Sequence, residues 1–299
     1  MHWFVAKSWA IEPFVTEHPI QTEYLKRIAE ALERIAPPAP AAPSFAGAFF
    51  RYDAGTGGFH PAATRALPLD LLMGVETQKA QVAGAVARFA AGLPVNHLLL
   101  WGARGTGKSS LVKAAVAAQS PASPDLKLVE LDRDDISTLP ALFERLGRRS
   151  ERFVVFCDDL SFEAGADQAK SLKSALEGGV GGSPDNVLFA ATSNRRHLAP
   201  ERHDEGQGML AAAEQAEETV SVSDRFGLWI GFPPMDQPTY LAAIHAYAER
   251  FGLEDDTLAK DLLERRALQW AQRRGGRSGR VAWQFIRDLA GERGVRLPL

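Results

Sequence analysis

The sequence predicts a doubly wound α/β sheet followed by a smaller all-helical domain. Three observations predict it. Short apolar runs at His97–Trp101, Lys127–Leu131, Phe153–Cys157, Val187–Ala191 and Leu228–Phe232 alternate with helix-like stretches. That is the pattern of parallel strands buried on both faces. A glycine-rich segment, Gly102 to Ser109, joins the first run to a run of helix formers, Leu111–Ala118. Residues 235–299 carry no strand signal and read as successive amphipathic helices, PTYLAAIHAYAERF, TLAKDLLERRALQWAQRR and SGRVAWQFIRDLAGE.

Ahead of the sheet, residues 1–69 form a separate zone. PIQTEYLKRIAEALERI places Leu25, Ile28, Leu32 and Ile35 at helical spacing. Such a stripe packs on its own core or, alternatively, meets another copy. APPAPAAPS is an extended linker, since proline fixes the backbone and removes donors. FAGAFFRYDAGTGGF, with aromatics around a glycine-rich turn, predicts a short hairpin. The α/β zone is then residues 70–234 and the helical zone residues 235–299.

Composition bounds what such a chain does. At 299 residues, 45% hydrophobic and 24% charged, it matches an ordinary globular protein. A net charge of -3 gives no global field for nucleic acid. The longest apolar tract is broken by prolines, so no membrane span is expected. The opening residues lack a basic leader, and with a single cysteine, Cys157, the expectation is a reducing cytoplasm.

Gly102-Ala103-Arg104-Gly105-Thr106-Gly107-Lys108-Ser109 matches the phosphate-binding pattern G-x-x-x-x-G-K-[ST] in full, between a strand and a helix. Glycines let the backbone wrap phosphate oxygens, and the helix N-terminus adds the positive end of its dipole. The cradle runs on to Ser110. Lys108 is expected to reach the β- and γ-phosphates of ATP, and the Ser109 hydroxyl to ligate Mg²⁺. FVVFCDDLSFE ends a neighbouring strand on two carboxylates. Asp158 is expected to hold Mg²⁺ and Asp159 to polarise the attacking water, with Glu163 as the rival base.

Further segments resemble the AAA+ superfamily of P-loop ATPases over residues 70–299. NVLFAATSNRRHL resembles its first sensor, which implies that Asn194 positions the attacking water. VSVSDRFGLWIGF resembles the arginine-finger segment, which implies that Arg225 reaches the γ-phosphate of a neighbouring subunit. GGRSGRVAWQFI resembles the second sensor, which implies that Arg280, or alternatively Arg277, couples nucleotide to lid. LLMGVETQK resembles the adenine-side segment, with Met73, Gly74 and Val75 beside the base. The phrases NHLLLWGARGTGKSSLVKA, FCDDLSFE, ATSNRRHL, SDRFGLWIGF and RSGRVAWQFI are most similar to domain-of-unknown-function family 815, predicted ATPases.

The resemblance implies ATP hydrolysis to ADP and phosphate with Mg²⁺, in a homo-oligomer with shared sites, acting on a protein or nucleic-acid client. The alternative is a nucleotide-gated loader that turns over slowly, motivated by the Asp-Asp pair. Nucleic acid is a third reading, resting on Arg195 and Arg196 and on Arg265, Arg266, Arg273, Arg274, Arg277 and Arg280; such runs are more often solvated helix faces. Residues 201–222 read as an acidic, glycine-containing loop with no periodicity, a possible contact segment.

Overall fold

The computed structural model describes residues 19–35, 44–63, 66–161, 166–177, 183–194, 224–253 and 260–297. Glu163, Arg195, Arg196, the 201–222 insert and most of the proline-rich linker lie outside the described residues. The chain divides into two compact units, Met1–Ser44 and Phe45–Leu299. In the first, α1 spans Pro19–Ile35, and Leu25 and Ile28 of its apolar stripe are exposed.

In the second unit the strands are β1 (Phe49–Asp53), β2 (Gly58–Pro61), β3 (Leu98–Gly102), β4 (Leu126–Leu131), β5 (Arg152–Cys157), β6 (Val187–Ser193) and β7 (Leu228–Phe232). They form one sheet in the order β2-β1-β4-β5-β6-β3-β7. Every pairing is parallel except the β1–β2 hairpin. The five predicted runs are all strands. The hairpin, set apart by sequence in the zone before residue 70, is hydrogen-bonded into the sheet, with Phe50 opposite Val129 of β4.

The unbroken apolar character of the inner strands has a direct cause. On β5, Phe153, Val155 and Cys157 face one core while Val154 and Phe156 face the other. Helices α2 (Glu76–Ala90) and α3 (Lys108–Gln119) cover the second face through Val82, Val86, Leu111 and Val112. Helices α4 (Leu139–Gly147) and α5 (Ala166–Glu177) cover the first through Leu142, Phe143 and Leu172. Both faces being dry, alternation is lost and continuous runs result.

The last part is helical, as expected: α6 (Gln237–Arg250), α7 (Lys260–Arg273) and α8 (Gly279–Glu292). Asp236 starts α6 by accepting from the Thr239 N–H at 2.9 Å, and Ser278 starts α8 by accepting from the Val281 N–H at 3.2 Å. Tyr240, Ile244, Leu263, Phe285 and Ile286 fill a third core. The buried Tyr240 hydroxyl donates to the Ala267 carbonyl at 3.0 Å, tying α6 to α7. A 3₁₀ turn, Leu69–Leu71, lies where sheet and helices meet. Leu71 belongs to the helical core, and Leu72 to the sheet's second core.

Candidate nucleotide site

The glycine-rich loop begins where β3 ends. Gly102 has φ 140°, and a Cβ there would fall 2.4 Å from the Phe232 carbonyl oxygen, so only glycine fits. Gly107, at φ 97°, turns the chain into α3 as its N-cap. Between them the Thr106 hydroxyl donates back to the Ala103 carbonyl at 2.9 Å. Lys108 folds into the loop and donates to the carbonyls of Gly102 and Ala103 at 2.7 and 2.8 Å. Its burial pulls the ammonium below the usual lysine range, and Asp158 and Asp159 draw it back up.

Across from the loop, β5 and β6 deliver the polar residues at their C-terminal ends. The Ser109 hydroxyl donates to Asp158 Oδ1 at 2.5 Å. Asn194 bridges two predicted groups: its Oδ1 accepts from Lys108 Nζ at 3.3 Å, and its Nδ2 donates to Asp159 Oδ1. Asp159 Oδ2 also faces Arg133 at 3.6 Å and Arg104 at 3.8 Å. Asp159 is therefore held on one side by an amide and on the other by two guanidinium groups.

These residues open onto a cavity of about 560 Å³. The loop contributes Arg104, Gly105, Gly107, Lys108, Ser109 and Ser110 to its wall; Gly102, Ala103 and Thr106 shape the loop from behind. Asp158, Asp159 and Asn194 line the same cavity, and Arg280 enters from α8. Arg280 also donates its backbone N–H to the Gly105 carbonyl at 3.3 Å, so the helical part touches the loop directly. Arg277 is not part of the wall. Arg225 is outside it too, paired with Glu177 at 2.5 Å.

The apolar end differs from the sequence expectation. Leu67, Leu72, Tyr247 and Trp283 line it, rather than Met73, Gly74 and Val75. Met73 packs on the helical core and Val75 is buried in the sheet core. Gly74, at φ 73°, lies so close to α6 that a Cβ would meet Thr239 Cγ2 at 2.2 Å. Trp283 could have been found from sequence, since it sits three residues after Arg280 and hence on the same helix face. Thr192, near the C-terminal end of β6, and Tyr247 are also in the wall, and no such signal marks either.

The donor set suits a hard divalent cation. A hydroxyl and a carboxylate oxygen already meet at Ser109 and Asp158, the oxygen ligands Mg²⁺ takes alongside phosphate and water. No cluster of three or more acidic, His or Cys side chains among the described residues offers an all-protein metal cage. An ion here would need ligands from a phosphate and water, as Mg²⁺ does.

A parallel sheet with a phosphate-binding loop at its strand ends, an acidic neighbouring strand and a helical lid over the cavity define an AAA+ P-loop fold. The chain belongs to the family described as "Protein of unknown function (DUF815)", whose model matches residues 46–293. No curated protein sequence matches it. Among solved structures it is similar to the Aeropyrum pernix ORC1 protein in complex with DNA, at 17% identity and TM-score 0.51, over 77% of this chain and 66% of that one. The chain thus spans slightly less than two thirds of that protein. It also resembles the Thermotoga maritima RuvB Holliday junction branch migration motor, at 17% identity and TM-score 0.47, covering 75% and 72% of the two chains. Domain III of the T. maritima replication initiation protein DnaA matches at 14% identity and TM-score 0.46, over 77% of this chain and 99% of that domain. At such identities the likeness is one of fold.

Proposed function

We propose that the chain is an ATPase that binds ATP with Mg²⁺, hydrolyses it to ADP and phosphate, and uses the cycle to load or remodel a partner macromolecule. The observation that carries this reading is the convergence of Lys108, Ser109, Asp158, Asp159, Asn194 and Arg280 on one cavity. Lys108 and the loop N–H groups hold the phosphates, and Arg280 meets them from the lid. Leu67, Leu72, Tyr247 and Trp283 supply the apolar surface that a nucleobase needs. Ser109 and Asp158 would hold Mg²⁺, which when bound neutralises phosphate charge. Asn194 orients the attacking water, and Asp159 takes its proton as the oxygen bonds to the γ-phosphorus and the bond from that phosphorus to the β–γ bridging oxygen breaks, leaving ADP. Arg225 completes the site of a neighbouring copy in an oligomer.

A second reading, a slow loader gated by nucleotide, draws on the contacts of Asp159 with Arg104 and Arg133. A carboxylate so engaged is turned away from an attacking water until those contacts rearrange. The client is a protein or a nucleic acid; for the latter, Arg273, Arg274 and Arg277 form an exposed basic turn between α7 and α8. The reading is tested on purified protein. Lys108→Ala is expected to abolish tight ATP binding in a calorimetric titration, whereas Asp159→Asn keeps binding and stops turnover. Unchanged affinity in the first variant removes the P-loop assignment. Normal hydrolysis in the second, with loss in Glu163→Gln, transfers the base to Glu163.

A further inference from the structure

Thr192 is 1% exposed near the C-terminal end of β6, and no sequence motif singles it out. Its hydroxyl does two things at once. It donates to Asp158 Oδ1 at 2.5 Å and accepts from the Asp159 backbone N–H at 2.9 Å. A hydroxyl has one proton and two lone pairs, so both bonds form together. The Thr192 carbonyl then accepts from the Leu160 N–H at 2.7 Å. One residue thus grips three consecutive positions of the turn that follows β5.

That turn needs gripping. Asp159 has φ 55°, the single non-glycine residue with positive φ among those described. A left-handed L-residue persists where surrounding contacts over-determine it, and such residues gather at functional sites. The left-handed turn aims Asp159 toward Asn194 while Asp158 stays on Ser109. Asparagine and lysine contacts hold side chains of this site; the backbone of the acidic pair is held by Thr192.

We propose that Thr192 is a positioning residue that fixes the orientation of Asp158 toward the metal position and of Asp159 toward the attacking water. The assignment rests on the reading of the cavity as a Mg²⁺–ATP site. Removing the hydroxyl at constant shape leaves the Asp159 N–H without its acceptor and Asp158 without one of its two hydroxyl donors. The turn then samples other conformations, and the two carboxylates lose their joint alignment.

The test compares Thr192→Val with Thr192→Ser. Three quantities are read: turnover against ATP concentration, ADP affinity by calorimetry with and without Mg²⁺, and hydrogen exchange at the Asp159 amide in nucleotide-free protein. The valine variant is expected to lose about 10- to 100-fold in kcat with little change in KM, the range typical when a residue that orients a metal ligand is removed. Its gain in ADP affinity on adding Mg²⁺ shrinks, its Mg²⁺-free affinity stays, and the Asp159 amide exchanges faster. Serine restores all three. A valine variant with wild-type kcat, Mg²⁺ response and exchange overturns the proposal. A serine variant as impaired as valine also overturns it, because the methyl packing is then what counts. Wild-type protein that binds no nucleotide overturns the site reading instead, and the exchange arm still shows whether Thr192 holds the turn. If the valine protein does not fold, Thr192→Cys replaces it, with the same direction of change expected.

Discussion

His97 shows how a buried residue at the end of the sheet away from the site is kept neutral. It lies at the start of β3, where its Nδ1 accepts from the Phe189 N–H at 3.1 Å and Ser183 approaches its other nitrogen at 3.5 Å. Burial lowers its pKa to about 4. The unfolded chain takes a proton on this ring near its ordinary pKa of 6.5, and the folded chain resists until about 4. Between those values the unfolded state binds more protons, so stability falls as pH drops through that window. The contribution is on the order of 3 kcal/mol at full extent. Urea unfolding at pH 7.5 and pH 4.5 is expected to show a smaller pH loss in His97→Gln than in the wild type. An equal loss in both would assign the acid sensitivity to carboxylates alone.

Asp159 and Lys108 illustrate what sequence reveals at the same scale. Both were legible because spacing fixes them: one in an eight-residue motif, the other at the end of an apolar run. Thr192 was not, since a threonine inside a β strand is what β propensity favours, and its role exists only once β5 lies beside β6.

At the scale of elements, the loop between β3 and α3 and the start of α8 act as one joint. Gly105 has φ 79°, and a Cβ there would sit 2.8 Å from Ser278 Oγ and 3.3 Å from Arg280 Cβ. The glycine is therefore needed twice, for its backbone angle and for the approach of the lid helix. Gly105→Ala is expected to weaken nucleotide affinity by roughly tenfold, within the range for side chains in direct contact. Gly105→Ala with Ser278→Gly should recover part of that loss, since the clash is relieved and the angle is not. Calorimetric titration of both proteins decides it. Equal affinities for the two would place the whole effect in the loop and none in the lid.

Elements also explain what the sequence hid. The β1–β2 hairpin was recognisable from its glycine-rich turn, yet its place in the sheet was not. Phe50 and Tyr52 alternate with exposed Arg51, the pattern of any half-buried hairpin, and no local signal names β4 as its neighbour. The apolar wall of the cavity was hidden for a related reason. Leu67 and Leu72 come from the entry segment, Tyr247 from α6 and Trp283 from α8, and only tertiary packing gathers them. The helices themselves were plain from periodicity, as capping by Asp236 and Ser278 bears out.

Across the whole molecule, Arg225 bears on whether one chain carries a full site. The Arg225 guanidinium is bound to Glu177 and takes no part in the cavity of its own chain. If it serves a neighbour, Arg225→Ala leaves ATP affinity nearly intact and lowers turnover about a thousandfold or more, as for other arginine fingers. Mixing Arg225→Ala with Lys108→Ala then restores activity, because some interfaces pair an intact loop with an intact arginine. Failure to recover, with assembly verified by mass, makes Arg225 a structural partner of Glu177. Normal turnover by Arg225→Ala alone ends the case for a shared site.

Leu71 and Leu72 carry a mechanical consequence. Consecutive side chains are anchored in different cores, one helical and one built on the sheet. A tilt of the helices against the sheet would have to be absorbed at this junction and at the other crossing, between β7 and α6. Leu72 is also part of the cavity wall, and so is Leu67 just before it. Leu72 thus touches both the sheet core and the pocket, one peptide bond from the anchor among the helices. A molecule filling that pocket would press directly on the junction through which any such tilt must pass.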